Sequence, residues 1–345
     1  MSSPKYDYLI FIGRFQPFHI GHAQVIKTAL ELSKNIVVLV GSSNQPRTIK
    51  NPWTFHERVA MIFDGLELDV RDKSRVSCAP LRDRMYNDQK WAAGVQQAVN
   101  ERLRLDGATN PRIGIIGHNK DESSYYLKMF PQWELVEHEM NEQVSATDLR
   151  SLYFEGKNLK FLKALVPAGT YLYLETFSNT KEFSKLIHEY EFINKYKRQW
   201  EASPYPPTFV TCDAVVVQSG HVLLIERKSV PGEGLMALPG GFVQQNEFVV
   251  DSMVRELREE TRLKVPAPVL RGSIKAQRVF DHPNRSLRGR TITHAFLIEL
   301  PAGELPPVKG NDDARKAMWV PINEVDEEKL FEDHYHIINY FLGRV

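Results

Sequence analysis

Cysteine is scarce in this sequence, since 2 of the 345 residues, Cys78 and Cys212, are cysteines. They lie far apart in the sequence, and neither has a histidine or another cysteine at the spacing of metal ligands. The cysteines therefore support neither a disulfide framework nor a zinc site, and they favour a reducing compartment.

Long apolar runs and an excess of one charge are missing as well. No apolar run approaches the ~20 residues that cross a bilayer, and the N-terminus lacks a basic segment followed by an apolar core. The net charge is +1, so no overall field points to nucleic acid or to a membrane surface. We therefore expect a cytoplasmic protein that binds neither nucleic acid nor membranes.

What is present is the composition of an ordinary globular protein, with 42% apolar and 25% charged residues. A chain of 345 residues is long enough for two domains with full cores. Residues 203–207, SPYPP, are typical of a stiff, non-helical linker. We predict a first domain over residues 1–180, a helical linker over 181–207 and a second domain over 208–345.

Residues 13–22, GRFQPFHIGH, organise the first domain. An apolar run precedes them and a helical pattern follows, so we predict a strand, a glycine turn and a helix. Such a turn points backbone N–H groups and a helix N-terminus at one place, which favours bound phosphate. Gly13 lets the backbone approach a ligand. His19 and His22 can bring two imidazoles to one pocket.

Further apolar runs at residues 35–40, 76–81, 112–116 and 134–137 predict the other strands of an open α/β sheet. Ligands bind such sheets at the carboxyl ends of the strands. Candidate binding residues stand at two of these ends, and they are Gly41, Ser42, Gly117 and His118. His118 is equally well explained as an ordinary loop residue. A helix is expected over residues 122–130.

Basic residues and a helix start lie close to these turns in the sequence. Arg47 and Lys50 follow the second strand, and phosphate binding and a solvated loop explain them equally well. Residues 145–150 predict a helix with Ser145 as its cap and Thr147 in the first turn. Arg150 is expected on the first exposed face of that helix.

Residues 13–22 resemble the signature of the nucleotidyltransferases with an HxGH motif. The longer GRFQP form resembles the archaeal-type nicotinamide mononucleotide (NMN) adenylyltransferases. The resemblance implies a Rossmann-like domain with a parallel sheet. In that family the two histidines, here His19 and His22, hold the phosphates of ATP while a nucleotide phosphate attacks the α-phosphorus. Positive charge for the leaving group can come from Arg14, Lys50 and Arg150, with Mg²⁺ bridging the ATP oxygens.

A second stretch, residues 144–150, is similar to another signature of the same family, whose arginine meets the β- and γ-phosphates. The resemblance gives this role to Arg150. The family often has two adjacent serines in this signature, whereas this chain has Ser145 followed by Ala146.

A third stretch, residues 87–91, resembles the segment whose tryptophan stacks on the nicotinamide ring. The resemblance implies that Asp88 and Trp91 contact NMN, because a flat aromatic face suits a cationic pyridinium. Trp91 also opens a predicted helix, where a tryptophan more often belongs to the core.

The second domain contains an acidic helix. Glu256, Glu259 and Glu260 lie at positions i, i+3 and i+4, so all three share one helix face. Like charges destabilise such a face unless a cation lies among them, and oxygen ligands select Mg²⁺ or Mn²⁺ over zinc. A solvated acidic face is the alternative. Arg255 is placed to hold one of these carboxylates or Glu247.

The acidic helix and the two glycines before it resemble the Nudix box almost completely. The departure is Arg262, which stands where the family has a glycine that ends the helix. The resemblance implies an α/β/α sandwich that hydrolyses a diphosphate, with Glu256 and Glu260 in catalysis. The metal ligands that it implies are Gly240, Glu256, Glu259 and Glu260.

Residues 279–290 form a basic loop similar to the corresponding loop of relatives that hydrolyse ADP-ribose. Arg285 and Arg288 are candidates for binding phosphate or ribose, and ordinary surface charge explains them equally well. The loop at residues 311–313 could offer a further carboxylate or a base, which the sequence does not decide.

The whole length resembles bacterial bifunctional proteins that pair an NMN adenylyltransferase with a Nudix hydrolase. The resemblance implies that ATP and NMN give NAD and pyrophosphate. It also implies that ADP-ribose gives AMP and ribose 5-phosphate, with Mg²⁺ or Mn²⁺ as cofactor, and it leaves a homo-oligomer open. Two alternatives remain at this point. The first domain could use another phosphate acceptor, such as phosphopantetheine, and the second could sense ADP-ribose or NAD without turnover.

Overall fold

A computed structural model of the chain describes residues 4–117, 122–138, 144–156 and 159–343. The chain divides into two compact units, Met1–Ile187 and His188–Val345. The boundary falls inside a helix, and the division into residues 1–180, 181–207 and 208–345 stays a prediction.

Five strands form the sheet of the first unit. They are β1 (Tyr6–Gly13), β2 (Ser33–Val40), β3 (Val76–Pro80), β4 (Ile113–Gly117) and β5 (Glu134–Glu137). Their order is β3-β2-β1-β4-β5, and every neighbouring pair is parallel. The central strands β1 and β2 are rich in β-branched residues and almost completely buried, as strands covered on both faces are. The predicted parallel sheet is confirmed.

Helices alternate with these strands along the described residues. They are α1 (Ile20–Leu32), α2 (Phe55–Gly65), α3 (Val70–Ser74), α4 (Asp88–Leu105), α5 (Ala146–Phe154), α6 (Ala168–Phe177) and α7 (Lys181–Arg198). Two further segments, Glu122–Met129 and Leu159–Ala164, are 3₁₀ helices. The α-helix expected over residues 122–130 is therefore a 3₁₀ segment. The boundary between the two units lies within α7.

Side-chain caps decide where two of these helices begin. Thr54 Oγ1 accepts the N–H of Glu57 at 3.4 Å, and Glu57 accepts the N–H of Thr54 at 2.7 Å, so the two residues form a capping box at the start of α2. We expected α4 to begin at Trp91, but it begins three residues earlier, at Asp88. The reason is that the side chain of Asn87 accepts the N–H of Lys90 at 2.9 Å and caps the helix earlier.

The second unit contains a mixed sheet of seven strands in the described residues. The strands are β6 (Thr208–Gln218), β7 (His221–Arg227), β8 (Met236–Ala237), β9 (Gly240–Phe242), β10 (Ile274–Phe280), β11 (Arg290–Glu299) and β12 (Ala314–Pro321). The main order is β10-β11-β6-β7-β12, with β8 paired to β7 and β9 paired to β6. Strands β11 and β6 are parallel, which distinguishes this sheet from a simple antiparallel meander.

Three α-helices accompany this sheet in the described residues, and they are α8 (Val249–Thr261), α9 (Ala267–Gly272) and α10 (His334–Phe341). Met253 and Leu257 of α8 belong to the same hydrophobic core cluster as Cys212 and Ala214 of β6, and the glutamates of α8 lie on another face of the helix. The described helices include none that is long and apolar enough to cross a bilayer.

Both cysteines are free thiols inside their units. Burial raises the pKa of Cys78 and of Cys212 to about 12. Both thiols are therefore protonated at neutral pH.

Leu39→Ala should lower the free energy of unfolding by about 3 kcal/mol, because Leu39 of β2 is fully buried and its truncation leaves a cavity. Urea denaturation followed by circular dichroism measures the change. Leu105→Ala is the control, since Leu105 is 69% exposed at the end of α4 and should lose less than about 0.5 kcal/mol. Equal losses for the two variants would contradict this placement of the core.

Candidate active sites

His19 and His22 form the start of α1 together. His19 is the N-cap residue, and its Nδ1 accepts the backbone N–H of His22 at 3.4 Å. In return, Nδ1 of His22 accepts the backbone N–H of His19 at 3.3 Å. The two rings are stacked with their centroids 3.6 Å apart. The structure thus brings the two predicted imidazoles together at the helix start.

These hydrogen bonds fix which nitrogen of each neutral ring carries the proton. Because Nδ1 is the acceptor in both rings, the proton of the neutral imidazole lies on Nε2. Burial, and secondarily the neighbouring His19, lowers the pKa of His22 well below its ordinary value. His22 is therefore uncharged at pH 7 and has an Nε2–H group to donate.

Aromatic rings hold His22 in place. The ring of Phe15 meets it edge-on at 4.8 Å between centroids, and the ring of Phe18 stacks on it at 5.9 Å. Both phenylalanines are buried. The motif's aromatic residues therefore pack around its second histidine.

Arg150 of α5 is bound to the turn that carries the histidines. Its Nη1 donates to the carbonyl oxygen of Gln16 at 2.7 Å, and its Nη2 donates to Thr147 Oγ1 at 3.2 Å. Ser145 caps α5, as predicted, by accepting the N–H of Asp148 at 3.4 Å. Arg150 is buried, which corrects our expectation of an exposed face. Burial lowers the pKa of Arg150 to about 10, so it keeps its charge at neutral pH.

Gln16 ties the same turn to a second loop. Its Nε2 donates to the carbonyl oxygen of Trp53 at 3.0 Å, and its Oε1 accepts the N–H of Trp53 at 3.1 Å. Gln16 is almost fully buried, so this pair of hydrogen bonds is shielded from water. The turn is therefore fixed from two sides, by Trp53 and by Arg150.

Arg58 of α2 is a positioning residue that the sequence analysis missed. Its Nη1 donates to the carbonyl oxygens of Arg14 at 2.7 Å and Gly41 at 2.6 Å, and its Nη2 donates to that of Ser42 at 3.1 Å. The side chain is fully buried. It joins the turns after β1 and β2, which hold predicted binding residues. The available signal was an arginine four residues after the helix cap Thr54, on the face that continues into the apolar part of α2.

Ser42 adopts a backbone conformation that non-glycine residues rarely adopt, with φ of 50°. Asp83 holds it there, since Ser42 Oγ donates to Asp83 Oδ2 at 2.7 Å and the N–H of Ser42 donates to Oδ1 at 3.3 Å. Strain of this kind persists when neighbouring groups fix the residue, and it is common at ligand sites.

The side chain of Arg47 contacts other residues of the first unit. Its guanidinium forms a two-point ion pair with Glu57, with both N–O distances at 2.9 Å, and it lies 5.2 Å from the ring centroid of Phe177. These contacts favour a structural role for Arg47, and its binding of phosphate stays a prediction. The other basic candidate of this loop, Lys50, is partly exposed.

The remaining predicted residues of the first unit have separate positions. Trp91 packs edge-on against Tyr126 at 5.8 Å between centroids and lies next to the main core, so its stacking on a ligand stays a prediction. Asp88 is the first residue of α4, and Gly117 ends β4. His118 lies outside the described residues.

The acidic residues of the second unit lie on α8, and Arg255 organises them. Its Nη1 contacts Glu256 at 2.8 Å and Glu259 at 3.0 Å, and its Nη2 contacts Glu247 at 2.6 Å. The predicted bracing role of Arg255 is therefore confirmed. One guanidinium holds three carboxylates in a fixed arrangement.

Two carboxylates of α8 pack against the glycines of β9. The N–H of Gly240 donates to Glu260 Oε2 at 2.9 Å. A Cβ atom on Gly241 would lie 2.6 Å from the carboxyl carbon of Glu256, and one on Gly240 would lie 2.1 Å from the carbonyl oxygen of Cys212. The position of Gly240 therefore requires glycine, because a side chain there would clash with the backbone of β6, and a side chain at Gly241 would displace the carboxyl group of Glu256.

Burial strongly disfavours negative charge on the carboxyl groups of Glu256 and Glu260. It raises the pKa of Glu260 to about 8, and it raises the pKa of Glu256 as well. Two desolvated carboxylates with oxygen donors only are suited to a hard divalent cation, so Glu256 and Glu260 fit the metal that the Nudix box implies.

Glu259 does not join these two carboxylates. Its side chain is about half exposed and is paired with Arg255. Within the ranges that the structure describes, no three histidine, cysteine, aspartate or glutamate side chains are arranged to hold a metal. The ligand set Gly240, Glu256, Glu259 and Glu260 stays a prediction; Glu256 and Glu260 both pack against β9, whereas Glu259 is paired with Arg255.

Arg262 ends α8 where the Nudix box has glycine. It adopts the left-handed conformation with φ of 51°, and its Nη2 donates to Asn311 Oδ1 at 2.6 Å. Asn311 in turn donates to the carbonyl oxygen of Glu259 at 3.0 Å. The arginine therefore keeps the backbone geometry of a glycine cap, and its side chain adds a contact that closes the helix end.

The two arginines of the basic loop that were predicted to bind substrate, Arg285 and Arg288, differ in burial. Arg285 is buried, and its guanidinium pairs with Asp333 through bonds of 2.9 and 2.8 Å. Two of its nitrogens, Nε and Nη2, donate to this buried carboxylate, and the prediction that Arg285 binds substrate stays a prediction. Arg288 is partly exposed and lies over the ring of Phe242, with 5.1 Å from its guanidinium carbon to the ring centroid.

Comparisons with known proteins agree with this geometry. A cytidylyltransferase-like family model matches residues 10–151, and a NUDIX domain model matches residues 207–341. Fold and sites together define a nucleotidyltransferase joined to a Nudix domain in one chain.

The chain belongs to the family of bifunctional NMN adenylyltransferase/ADP-ribose pyrophosphatases. A crystal structure of such a protein from Francisella tularensis, complexed with AMP and a manganese ion, is 35% identical to it. The match has a TM-score of 0.89 and covers 98% of this chain and 99% of that chain. The predicted family is thereby confirmed over the whole length.

Single-function relatives match each half. A nicotinamide/nicotinic acid mononucleotide adenylyltransferase of Acinetobacter baylyi is 42% identical over 54% of this chain and 94% of its own length. An ADP-ribose pyrophosphatase of Methanocaldococcus jannaschii is 34% identical over 45% of this chain and 85% of its own length.

Arg285→Ala should lower the free energy of unfolding by about 3 kcal/mol, because it leaves the carboxylate of Asp333 buried without its partner. Arg288→Ala is the matched control and should lower it by about 1 kcal/mol or less, since Arg288 is partly exposed. Guanidinium denaturation followed by tryptophan fluorescence compares the two. Similar losses would show that Arg285 has no special structural role.

Proposed function

We propose that the first unit transfers the adenylyl group of ATP to NMN, and that the second hydrolyses ADP-ribose to AMP and ribose 5-phosphate. The observation that carries this proposal is the match to the Francisella protein, which is named for both activities, along 98% of this chain. The two sites described above lie in the units that correspond to these activities in sequence order.

In the adenylyl transfer, a phosphate oxygen of NMN attacks the α-phosphorus of ATP while the bond to the bridging oxygen of the β-phosphate breaks. NAD forms and pyrophosphate leaves. The phosphate nucleophile is anionic at neutral pH, so the reaction needs no general base. The protein's task is to position the two phosphates and to stabilise the charge that develops on the leaving group.

We assign that task to the residues around the start of α1. The neutral imidazoles of His19 and His22 donate Nε2–H groups to phosphate oxygens, and Arg150 supplies positive charge from beneath the same turn. Arg14 and Lys50 add charge at its edge. The wall of the pocket is assigned to Gly13, Gly41, Ser42, Gly117, Ser145 and Thr147. We assign NMN recognition to Asp88 and Trp91.

In the second unit, Glu256 and Glu260 would hold the divalent cation, for which we propose Mg²⁺ with Mn²⁺ as a substitute. When bound, the cation neutralises the diphosphate and lowers the pKa of a coordinated water. The N–H of Gly240 fixes the orientation of Glu260, and Arg255 fixes that of Glu256. Arg288 supports the proposal further, because this arginine of the basic loop is partly exposed.

Two single variants, His22→Ala and Glu260→Gln, each made in the full-length chain, test the two assignments. His22→Ala should lower NAD formation by about 100-fold or more, because a donor to the transition state is lost, while ADP-ribose hydrolysis is unchanged. Glu260→Gln should do the reverse. Chromatography of NAD and AMP measures both reactions, and circular dichroism checks that each variant is folded. If either folded variant lost both activities, or neither, the assignment of separate sites would be wrong.

Removal of divalent ions tests the cofactor. EDTA should abolish AMP release from ADP-ribose, and added Mg²⁺ or Mn²⁺ should restore it, because the buried carboxylates need a counter-ion to bind a diphosphate. Isothermal titration of Mn²⁺ should also show weaker binding to Glu260→Gln than to wild type. Full hydrolysis in EDTA would rule out the proposed cofactor.

A further inference from the structure

Phe242 is the next residue in the chain after the glycine against which the carboxyl group of Glu256 packs. It follows Gly241 in β9, and the space at Gly241 is filled by the carboxyl group of Glu256. In spite of its place in a paired strand, the Phe242 side chain is 39% exposed. A large aromatic surface is therefore accessible within a few residues of the group that would hold a diphosphate.

The ring of Phe242 is held in position without being covered. It meets the ring of Phe209 edge-on, with 5.9 Å between centroids and 72° between planes. Phe209 packs in turn against Trp200 at 5.3 Å and Tyr196 at 5.7 Å. This row of rings fixes the orientation of Phe242, so that stacking on it costs little conformational entropy.

Arg288 adds a flat cation to this surface. Its guanidinium carbon lies 5.1 Å from the centroid of the Phe242 ring. Its Nε is buried and has no hydrogen-bond partner in the part of the chain that the structure describes. A guanidinium beside an aromatic ring suits a ligand that combines a planar base with phosphate or ribose oxygens.

We propose that the ring of Phe242 forms a platform on which the adenine ring of ADP-ribose stacks, with Arg288 at the edge of this platform. This inference rests on the proposed function of the second unit. The diphosphate binds through the cation at Glu256 and Glu260, and the adenosine group is joined directly to it. Arg288 and Glu260 both interact electrostatically with Arg227, so we expect a base one ribose away from the diphosphate to reach the surface that Arg288 shares with Phe242. The platform gives this unit its preference for nucleoside diphosphate compounds.

Kinetics of Phe242→Ala test the platform. Loss of one base-stacking ring should raise the KM for ADP-ribose about tenfold. The kcat should stay within about threefold, because stacking on a remote base acts equally on substrate and transition state. Phe242→Tyr keeps the flat ring and should keep the KM of wild type. Phe248→Ala is the matched control, since Phe248 is an exposed phenylalanine at the start of α8 outside the site.

The two reaction products separate base recognition from phosphate recognition. AMP carries the base and ribose 5-phosphate does not. In Phe242→Ala, inhibition of ADP-ribose hydrolysis by AMP should weaken about tenfold, whereas inhibition by ribose 5-phosphate should be unchanged. Because hydrolysis of ADP-ribose is the readout, AMP bound to the first unit does not enter the measurement.

Each outcome decides a different question. If wild type hydrolyses ADP-ribose and Phe242→Ala changes neither the KM nor the inhibition by AMP, the platform is wrong and the proposed function stands. Equal weakening of inhibition by AMP and by ribose 5-phosphate would also overturn it, since the ring would then act on the whole site. If wild type does not hydrolyse ADP-ribose, the proposed function fails and this inference falls with it.

Discussion

The first unit depends on two reciprocal hydrogen bonds between the backbone and the imidazoles of His19 and His22. They satisfy N–H groups that any helix leaves unpaired at its start, and they fix the tautomer of each ring. The same two bonds therefore begin α1 and create a pair of neutral donors. Arg150 and Gln16 then hold the turn, and Arg58 joins it to the next strand. Buried guanidinium groups supply the fixed positive charge, and the histidines supply the directed donors.

In the second unit the grouped side chains are negatively charged, whereas in the first unit they are neutral or positively charged. The second unit has to keep negative groups close together in a place where burial disfavours their charge. Two glycines let β9 approach α8 so closely that the backbone itself donates to Glu260, and Arg255 gathers the other carboxylates. What the two units share is that close approach of the main chain, rather than a large net charge, determines how each handles an anion or a cation. The nearly neutral overall charge of the chain is consistent with this.

The order of elements could be predicted from the sequence because apolar runs, glycine turns and caps are local signals. The parallel sheet, the capping box at Thr54, the cap at Ser145 and the acidic face of α8 all follow from such signals. The arginines could not be predicted in the same way. Arg47, Arg150 and Arg285 look alike in sequence, and only the fold shows that each has partners within its own unit. Arg58 was missed because its partners are backbone carbonyl oxygens of distant segments, and the sequence around Arg58 contains no signal of these contacts. The start of α4 was predicted too late, because the helix was expected to begin at Trp91 although Asn87 caps it earlier.

The two buried cysteines have a practical consequence. Because both thiols are protonated at neutral pH, alkylating reagents that require a thiolate will react with them slowly. A single cysteine introduced on the surface, for example at Val70, which is 87% exposed, would then be the fastest-reacting thiol in the chain. Fluorophores or spin labels could be attached there without first removing the native cysteines, which opens the protein to distance measurements in solution.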